Sequence, residues 1–450
     1  MSSSRIRDLI ESALAELPPA PVLVAYSGGL DSSTLLHVLA QSQPARARGL
    51  RAVHVDHGLH DESPGWTRHC SDFAAALDIA IVVRTVDVTR SPGLGLEASA
   101  RRARYDAIEA LLGRDEIVAL AHHRDDQSET VLLKLLRGAG PEGLAAMRPL
   151  RRFGSGYAWR PLLGVPRAAL REYAERNQLE WIRDPSNSDP TIDRNFLRMQ
   201  VLPRLLQRWP EADASIAQSV AWTRAAADFI DIEAERALAR TQGLDPATLR
   251  YREWLALPPA LRDPVLRRWL RALELPEPTH FQAAELVRQL GEAGEDRQPC
   301  VRWPGTEVRR YRELLHAMPP LQLPPFDWVA EFDGNELALP LDLGSLRLAG
   351  NRGPRPALAP PLRVRFRRGG ESLRLASGEH TRELRDLFQE SGIPPWQRGR
   401  LPLVFGRDGT LLAVADLWLG EAGQRLLDAH DARLEWIARR QPAAAAARAH

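Results

Sequence analysis

Apolar residues fall in short dense runs near 21–26, 50–55, 80–86 and 116–121. Between them, at about 34–42, 65–78, 97–112 and 125–138, apolar positions recur every three or four residues. Alternation of fully apolar strands with amphipathic helices predicts an α/β fold: a twisted parallel sheet covered by helices on both faces. Ligands of such sheets bind at the carboxyl ends of the strands. Three polar segments fall there: Ser27-Gly-Gly-Leu-Asp-Ser-Ser33, His54-Val-Asp-His-Gly58 and His122-His-Arg-Asp-Asp-Gln127.

Past Pro203 the pattern becomes Ala, Arg, Glu and Leu at helical periods, as in 221–230 and 264–273, which predicts a mainly helical second domain. Prolines crowd 319–325 and recur over 354–361, marking a linker with short strand-like runs. From Leu362 short strands alternate with one helix. The expected organisation is thus 1–210 as a ligand-binding α/β domain, 211–320 helical, 321–361 linker, 362–440 a small α+β domain, and 441–450 an alanine-rich fraying tail.

The 450 residues suit several domains, and 44% hydrophobic with 26% charged residues is ordinary globular composition. Cys70 and Cys300 are far apart, with no C-x-x-C, which argues against a disulfide framework or thiolate metal site and for a reducing cytosol. The N-terminal stretch reads as an amphipathic helix rather than a signal peptide, and no apolar run is long enough to span a bilayer, so no membrane partner is expected. A net charge of +2 does not announce nucleic-acid binding, although Arg302-Trp303, Arg309-Arg-Tyr-Arg312 and Arg363–Arg368 mix cations with aromatics as RNA contacts do.

The most informative segment is Val22–Ser33, VLVAYSGGLDSS. A buried strand that breaks into Ser27, Gly28, Gly29, Leu30, Asp31, Ser32 and Ser33 before a helix makes an anion cradle, because glycine admits a close approach and backbone N–H groups point outward at the helix's positive end. A polyphosphate fits it. No lysine follows the glycines, and Lys134 is the only lysine in the chain, so the Walker P-loop is excluded.

Other chemistry-bearing residues recur at helical spacing. Glu97, Arg101 and Arg104 share one face, and Asp126 and Glu129 lie one turn apart beyond the fourth strand, with Asp125 pointing elsewhere. Further on come Arg137-Gly-Ala-Gly-Pro-Glu-Gly-Leu144, Arg160-Pro-Leu-Leu163 and Asp184-Pro-Ser-Asn-Ser-Asp189, the last leading into Arg194-Asn195 and Arg198.

SGGLDS resembles the pyrophosphate loop of the N-type ATP pyrophosphatases, the PP-loop superfamily with its adenine nucleotide alpha hydrolase-like fold. With AHHRDDQSET and RGAGPEGL, the first 210 residues resemble tRNA(Ile)-lysidine synthases, and Ile393-Pro-Pro-Trp396 with Arg398–Pro402 extends the likeness to the C-terminal domain of their longer members. The resemblance implies ATP with Mg²⁺, a CAU-anticodon tRNA(Ile), free L-lysine and, weakly, a homodimer. ATP would adenylate O2 of the wobble cytidine, and the lysine ε-amine would then displace AMP at C2.

On that reading Ser27 to Ser33 and His54 hold the nucleotide, Asp31 also holds Mg²⁺, which prefers hard oxygen ligands, and Asp126 with Glu129 binds the lysine amine and accepts its proton. His122 contacts phosphate or ribose, Arg101 or Arg104 reaches a phosphate or the lysine carboxylate, and an intrahelical pair with Glu97 is the plainer alternative for both. A tRNA 2-thiolation enzyme of the same superfamily is the nearest rival, weakened by the lack of paired cysteines. A non-catalytic tRNA-binding relative is opposed by the joint presence of Asp31, Asp126 and Glu129. An amidating enzyme fed by glutamine hydrolysis would need a partner domain that is not evident.

Overall fold

The computed structural model describes residues 3–58, 60, 62–88, 95–185, 189–294, 297–350, 358, 361–376, 378 and 380–437. The chain forms two compact units that divide at Asp231 and Ile232.

The first unit is the expected α/β domain. In chain order it runs α1 (Ser3–Ala15), β1 (Val22–Ala25), α2 (Leu30–Ala40), α3 (Gln43–Ala47), β2 (Leu50–Asp56), α4 (Ser63–Ala76), β3 (Ala80–Thr85), α5 (Leu96–Leu111), β4 (Ile117–Ala119) and α6 (Arg124–Leu136). After α7 (Pro141–Leu144) come β5 (Leu150–Phe153), β6 (Gly156–Trp159), α8 (Arg167–Arg176), α9 (Asp193–Phe196), α10 (Leu202–Arg208) and the long α11 (Ala212–Thr241). The sheet order is β3-β2-β1-β4-β6-β5, parallel except for the terminal β5–β6 hairpin.

All four expected strands are present, and the hairpin adds two. Its strands are too short and its sequence too basic, LRRF and GYAW, to stand out by periodicity. β1 is apolar on both faces because it is central: Val22 and Val24 pack with α1, α2 and α8, whereas Leu23 packs with Ile108 and Leu112 of α5. Burying each such side chain contributes roughly 1.5–3 kcal/mol.

The second unit departs from the expected mainly helical 211–320. Beside α12 (Tyr251–Leu255), α13 (Pro259–Ala272) and α14 (His280–Glu292), the strands β7 (Thr248–Arg250), β8 (Cys300–Trp303), β9 (Thr306–Tyr311) and β10 (Leu314–Met318) form an antiparallel sheet in the order β7-β10-β9-β8. The stretch 321–361 is not simply a linker either. β11 (Val329–Phe332) pairs with β14 (Leu362–Arg365), and β13 (Ser345–Gly350), which follows β12 (Leu337–Ala338), pairs with β20 (Ala432–Ile437), so 329–350 belongs to the C-terminal domain. That domain adds β15 (Ser372–Arg374), β16 (Thr381–Glu383), α15 (Leu384–Glu390), α16 (Pro395–Arg398), β17 (Leu403–Phe405), β18 (Leu411–Val414), β19 (Trp418–Leu419) and α17 (Glu421–Ala429). The tail 441–450 lies outside the described residues.

Candidate active site

α2 begins at Leu30 rather than Thr34, so Asp31, Ser32 and Ser33 occupy its first turn and Gly29 is the N-cap. Asp31 therefore does not cap the helix and its side chain is available for other work. Gly28 takes φ +81°, and its carbonyl accepts a 2.9 Å hydrogen bond from the Ile182 amide. A Cβ there would lie inside the van der Waals envelope of Ile182 and 2.8 Å from Cys70 Sγ, so only glycine fits. Within the loop, Ser27 Oγ and Ser32 Oγ are 3.0 Å apart, Ser32 Oγ donates to Gly29 O (3.0 Å), and Ser33 Oγ donates to Gly28 O (3.3 Å). The hydroxyls brace the turn while the first amides of α2 stay directed outward.

The loop forms one wall of a cavity of about 520 Å³. Ser27, Gly29, Asp31 and Ser32 line it together with His54, His57, His60 and Trp66 from the β2 side and Arg104, Tyr105 and His122 from the α5 and β4 sides. His54 is buried, with Nδ1 3.0 Å from the Tyr26 carbonyl. Burial lowers its pKa, against the pull of that carbonyl and Asp56. Arg101 does not line the cavity and stacks on Tyr105, with the guanidinium 5.4 Å from the ring centroid. The Glu97 side chain lies outside the described residues, so the alternative intrahelical pairing falls there too.

His122 and His123 have opposite fates. His122 faces the cavity with Nδ1 buried and unbonded, and burial, reinforced by Arg160, Arg194 and Arg101 and opposed by Asp126, pushes its pKa down to about 3. It is a neutral imidazole. His123 is buried as the N-cap of α6, where its amide donates to Asp126 Oδ2 (3.0 Å). Its Nε2 lies 3.7 Å from Asp31 Oδ2 and 3.4 Å from Asp126 Oδ2, and its Nδ1 lies 3.6 Å from Asp125 Oδ2. Burial opposes the charged ring, but Asp125, Asp126 and Asp31 outweigh it and raise the pKa. The Asp126 amide approaches the ring Nδ1 at 3.4 Å, completing the cap.

Asp126 and Glu129 are adjacent on α6, as their spacing implies, but they are not an open carboxylate pocket. Glu129 is fully buried, and Arg194 and Arg198 hold both of its oxygens: Arg194 Nε to Oε2 at 2.6 Å and Arg198 Nε to Oε1 at 2.6 Å. Both arginines also donate to Asp126 Oδ1, at 2.8 and 3.0 Å. Burial would raise the Asp126 pKa, yet His123, Arg194 and His122 overcome it and hold it below the usual range. Asp126, held by two guanidiniums, is therefore a poor base, against the expectation that it accepts the lysine amine's proton.

Arg194 and Arg198 are the residues that sequence reasoning underused. They lie one turn apart where α9 passes into a π-helical turn, Leu197–Val201, before α10. Pro203 has no amide to donate to the 199 carbonyl, which favours the wider turn. Their signal was the SNSD-x₄-RN segment itself, which shows no periodicity toward α6. Asp125 is structural, as its spacing implied: Oδ2 accepts the Arg167 amide at 2.9 Å and starts α8.

Parts of two of the three basic clusters serve the fold, while Arg302 and Arg312 stay exposed. Trp303 and Arg310 are buried, Arg309 pairs with Glu307 at 2.9 Å, and Arg309 and Tyr311 pack on Trp396 of the IPPW segment. In the third, Arg365 pairs with Glu371 (2.7 Å) while Arg363 and Arg368 stay exposed. No helix among the described residues is long and apolar enough to cross a membrane.

Known proteins match along the whole chain. A family model described as a PP-loop domain matches residues 2–205, a TilS substrate binding domain matches 249–316, and a TilS substrate C-terminal domain matches 362–436. The tRNA(Ile)-lysidine synthase of Xanthomonas campestris pv. campestris is 45% identical, covering 95% of this chain and 98% of its own. That of Xylella fastidiosa is 43% identical over 93% of this chain and 95% of its own. Among solved structures, a U34-tRNA thiolase from Methanococcus maripaludis aligns with 17% identity and a TM-score of 0.41, over 49% of this chain and 78% of its own. With a PP-loop fold built as the sheet order requires and relatives of this identity over nearly its full length, the chain belongs to the tRNA(Ile)-lysidine synthase family.

Proposed function

We propose that this chain, an ATP-dependent C–N ligase, converts the wobble cytidine of a CAU-anticodon tRNA(Ile) to lysidine with ATP and free L-lysine. Cytosine O2 attacks the α-phosphate and pyrophosphate leaves. The lysine ε-amine then attacks C2 and AMP leaves. O2 is a poor leaving group until it is esterified to phosphate, so the order of steps is fixed.

The observation that carries this reading is the meeting of two strand ends: Asp31 after β1 and Asp126 after β4 both lie within 3.7 Å of the His123 ring. An adenylated base anchored at the first would thus stand next to an amine held at the second. Loop amides and the Ser27 and Ser32 hydroxyls face the phosphates, and Arg104 lines the opposite wall.

Asp31 Oδ1 is buried without a hydrogen-bond partner, which fits a ligand to Mg²⁺ beside phosphate oxygens and water. When bound, Mg²⁺ neutralises charge on the phosphates. L-Lysine carries an ammonium and a carboxylate on one carbon, the same two charges as the buried quartet. We assign its α-ammonium to the Asp126 side of the quartet and its carboxylate to the arginines, with Glu129 holding Arg194 and Arg198 in place, so that the ε-amine is left to react. Neutral His122 accepts a hydrogen bond at the cavity wall but is too weak a base to hold the amine's proton.

Thiolation is disfavoured, because Cys70, the cysteine behind Gly28, is buried and burial pushes its thiol up to about 12, so it offers no thiolate to carry sulfur at the loop. The test combines purified protein, ATP, Mg²⁺, radiolabelled lysine and a CAU-anticodon tRNA transcript. Label in the RNA, together with tRNA-dependent pyrophosphate release, is expected. Release indifferent to tRNA, or label delivered only from a sulfur donor, overturns the reading.

A further inference from the structure

The phosphate loop has no lysine, yet a departing pyrophosphate carries the electron pair of the broken Pα–O bond and needs a cation beside it. Two basic side chains stand beside the loop's acid, Asp31. His123 is buried behind it at 3.7 Å, and Arg167 places Nε 3.5 Å from Oδ1. Arg167 keeps about a third of its side chain exposed, whereas His123 keeps almost none.

Arg167 comes from α8, more than a hundred residues past the loop, and packing fixes where it stands. α8 lies against α2 through Leu170, Tyr173 and Ala174, and its first amide is held by Asp125. Both Arg167 Nε and Asp31 Oδ1 are buried atoms with no hydrogen-bond partner. At 3.5 Å the two miss each other, although either would gain from a ligand set between or beside them. The other arginines close by are committed: Arg194 and Arg198 are bound to Asp126 and Glu129.

We infer that Arg167 is a further catalytic residue, a guanidinium that takes up the β- and γ-phosphates and offsets the charge of pyrophosphate as it leaves, in the place the Walker lysine fills elsewhere. The inference rests on the adenylation step above. It moves no proton and forms no covalent bond: the new bond is O2–Pα, the broken one Pα–O, and Arg167 offsets the negative charge that accumulates on the leaving oxygen. Its planar fork suits two phosphate oxygens at once, so lysine should replace it only in part.

The test is direct binding of inorganic pyrophosphate, with Mg²⁺, and of AMP to the wild type, Arg167→Met and Arg167→Lys by isothermal titration calorimetry. Asp125 bonds the Arg167 backbone rather than its side chain, so α8 keeps its start in both variants. Pyrophosphate affinity should fall at least tenfold in Arg167→Met and less in Arg167→Lys, with AMP affinity within twofold of wild type. Parallel loss of both ligands, or unchanged pyrophosphate binding, overturns the inference. Should Arg167→Met fail to fold, Arg167→Lys decides by the same criterion. These titrations need no tRNA, whereas tRNA-dependent pyrophosphate release by the wild type judges the adenylation reading separately. In variants that bind AMP normally, the release rate should drop while the KM for lysine stays unchanged.

Discussion

Arg194 reaches across 65 residues of sequence to place its Nε 2.6 Å from Oε2 of Glu129, a carboxylate with no exposure to solvent. Removing one partner of such a pair leaves the other charge buried and uncompensated, at a cost of about 3–5 kcal/mol. Glu129→Ala strands Arg194 and Arg198 together, so chemical denaturation should show a loss in that range, and any rise in the lysine KM must be read against it. Arg194→Ala combined with Glu129→Ala should cost clearly less than the sum of the single changes. Strict additivity would mean the quartet is not a coupled unit.

A second expectation concerns Asp125. Burial opposes its ionisation, yet His123 and the Arg167 amide hold its pKa down to about 2. A depressed carboxylate stabilises the fold above its unfolded pKa near 3.8, and that contribution disappears as pH falls through the folded value. Asp125→Asn should thus be less stable than wild type at pH 7, by on the order of 1 kcal/mol once solvent screening of the partly exposed carboxylate is counted. The gap should close between about pH 4 and pH 2, since both values bound the window. Equilibrium unfolding at several pH values measures it, and a gap that persists at pH 2 would contradict the assignment.

His122 should remain neutral across the working range. With a pKa near 3, its ring resonances in an NMR titration should hold still from pH 8 to pH 5. An acid limb of activity near pH 6.5 must then come from another group. Movement of the His122 signals within that window would return it to the list of acid–base candidates.

Gly28→Ala tests the loop's seat. A methyl group there meets Ile182 and Cys70 and forces an unfavourable positive φ, costing roughly 1–3 kcal/mol from the backbone alone. Thermal denaturation should report the loss, and ATP affinity should fall with it. If ATP binds the variant as tightly as wild type, the loop is not where the phosphates sit.

In the second unit the prediction separates arginines that look alike in sequence. Arg363 and Arg368 are exposed, so Ala at either should weaken tRNA binding and lower the salt dependence by roughly one phosphate contact. Arg310 is buried and donates to the Arg297 carbonyl at 2.6 Å, so Arg310→Ala should lower stability and leave the salt slope as it was. Filter binding across a salt series tells the two behaviours apart.

These contrasts mark what the sequence could and could not convey. β1, β2 and β4 were legible because central parallel strands are apolar on both faces, β3 because AIVV is still an apolar run, and the loop because SGGLDS breaks that pattern at a strand end. The β5–β6 hairpin was not, since LRRF carries two arginines on an edge strand. Asp126 and Glu129 could be placed on one helical face from their spacing alone, but their partners come from α9 and the π turn after it, 65 and 69 residues past Glu129, and spacing says nothing about contacts between distant segments. Part of the Arg309–Arg312 cluster is engaged for a like reason: Glu307 and Trp396 hold Arg309, and only the fold brings Trp396 there.

The bond from the Ile182 amide to the Gly28 carbonyl also sets an order of events during synthesis. The cradle's sequence emerges from the ribosome early, but the side chain and amide that seat it arrive some 150 residues later, after β6 and α8. A nascent chain halted before residue 182 carries the loop without its support. The seat of the loop is thereby deferred until β6 and α8 have been made.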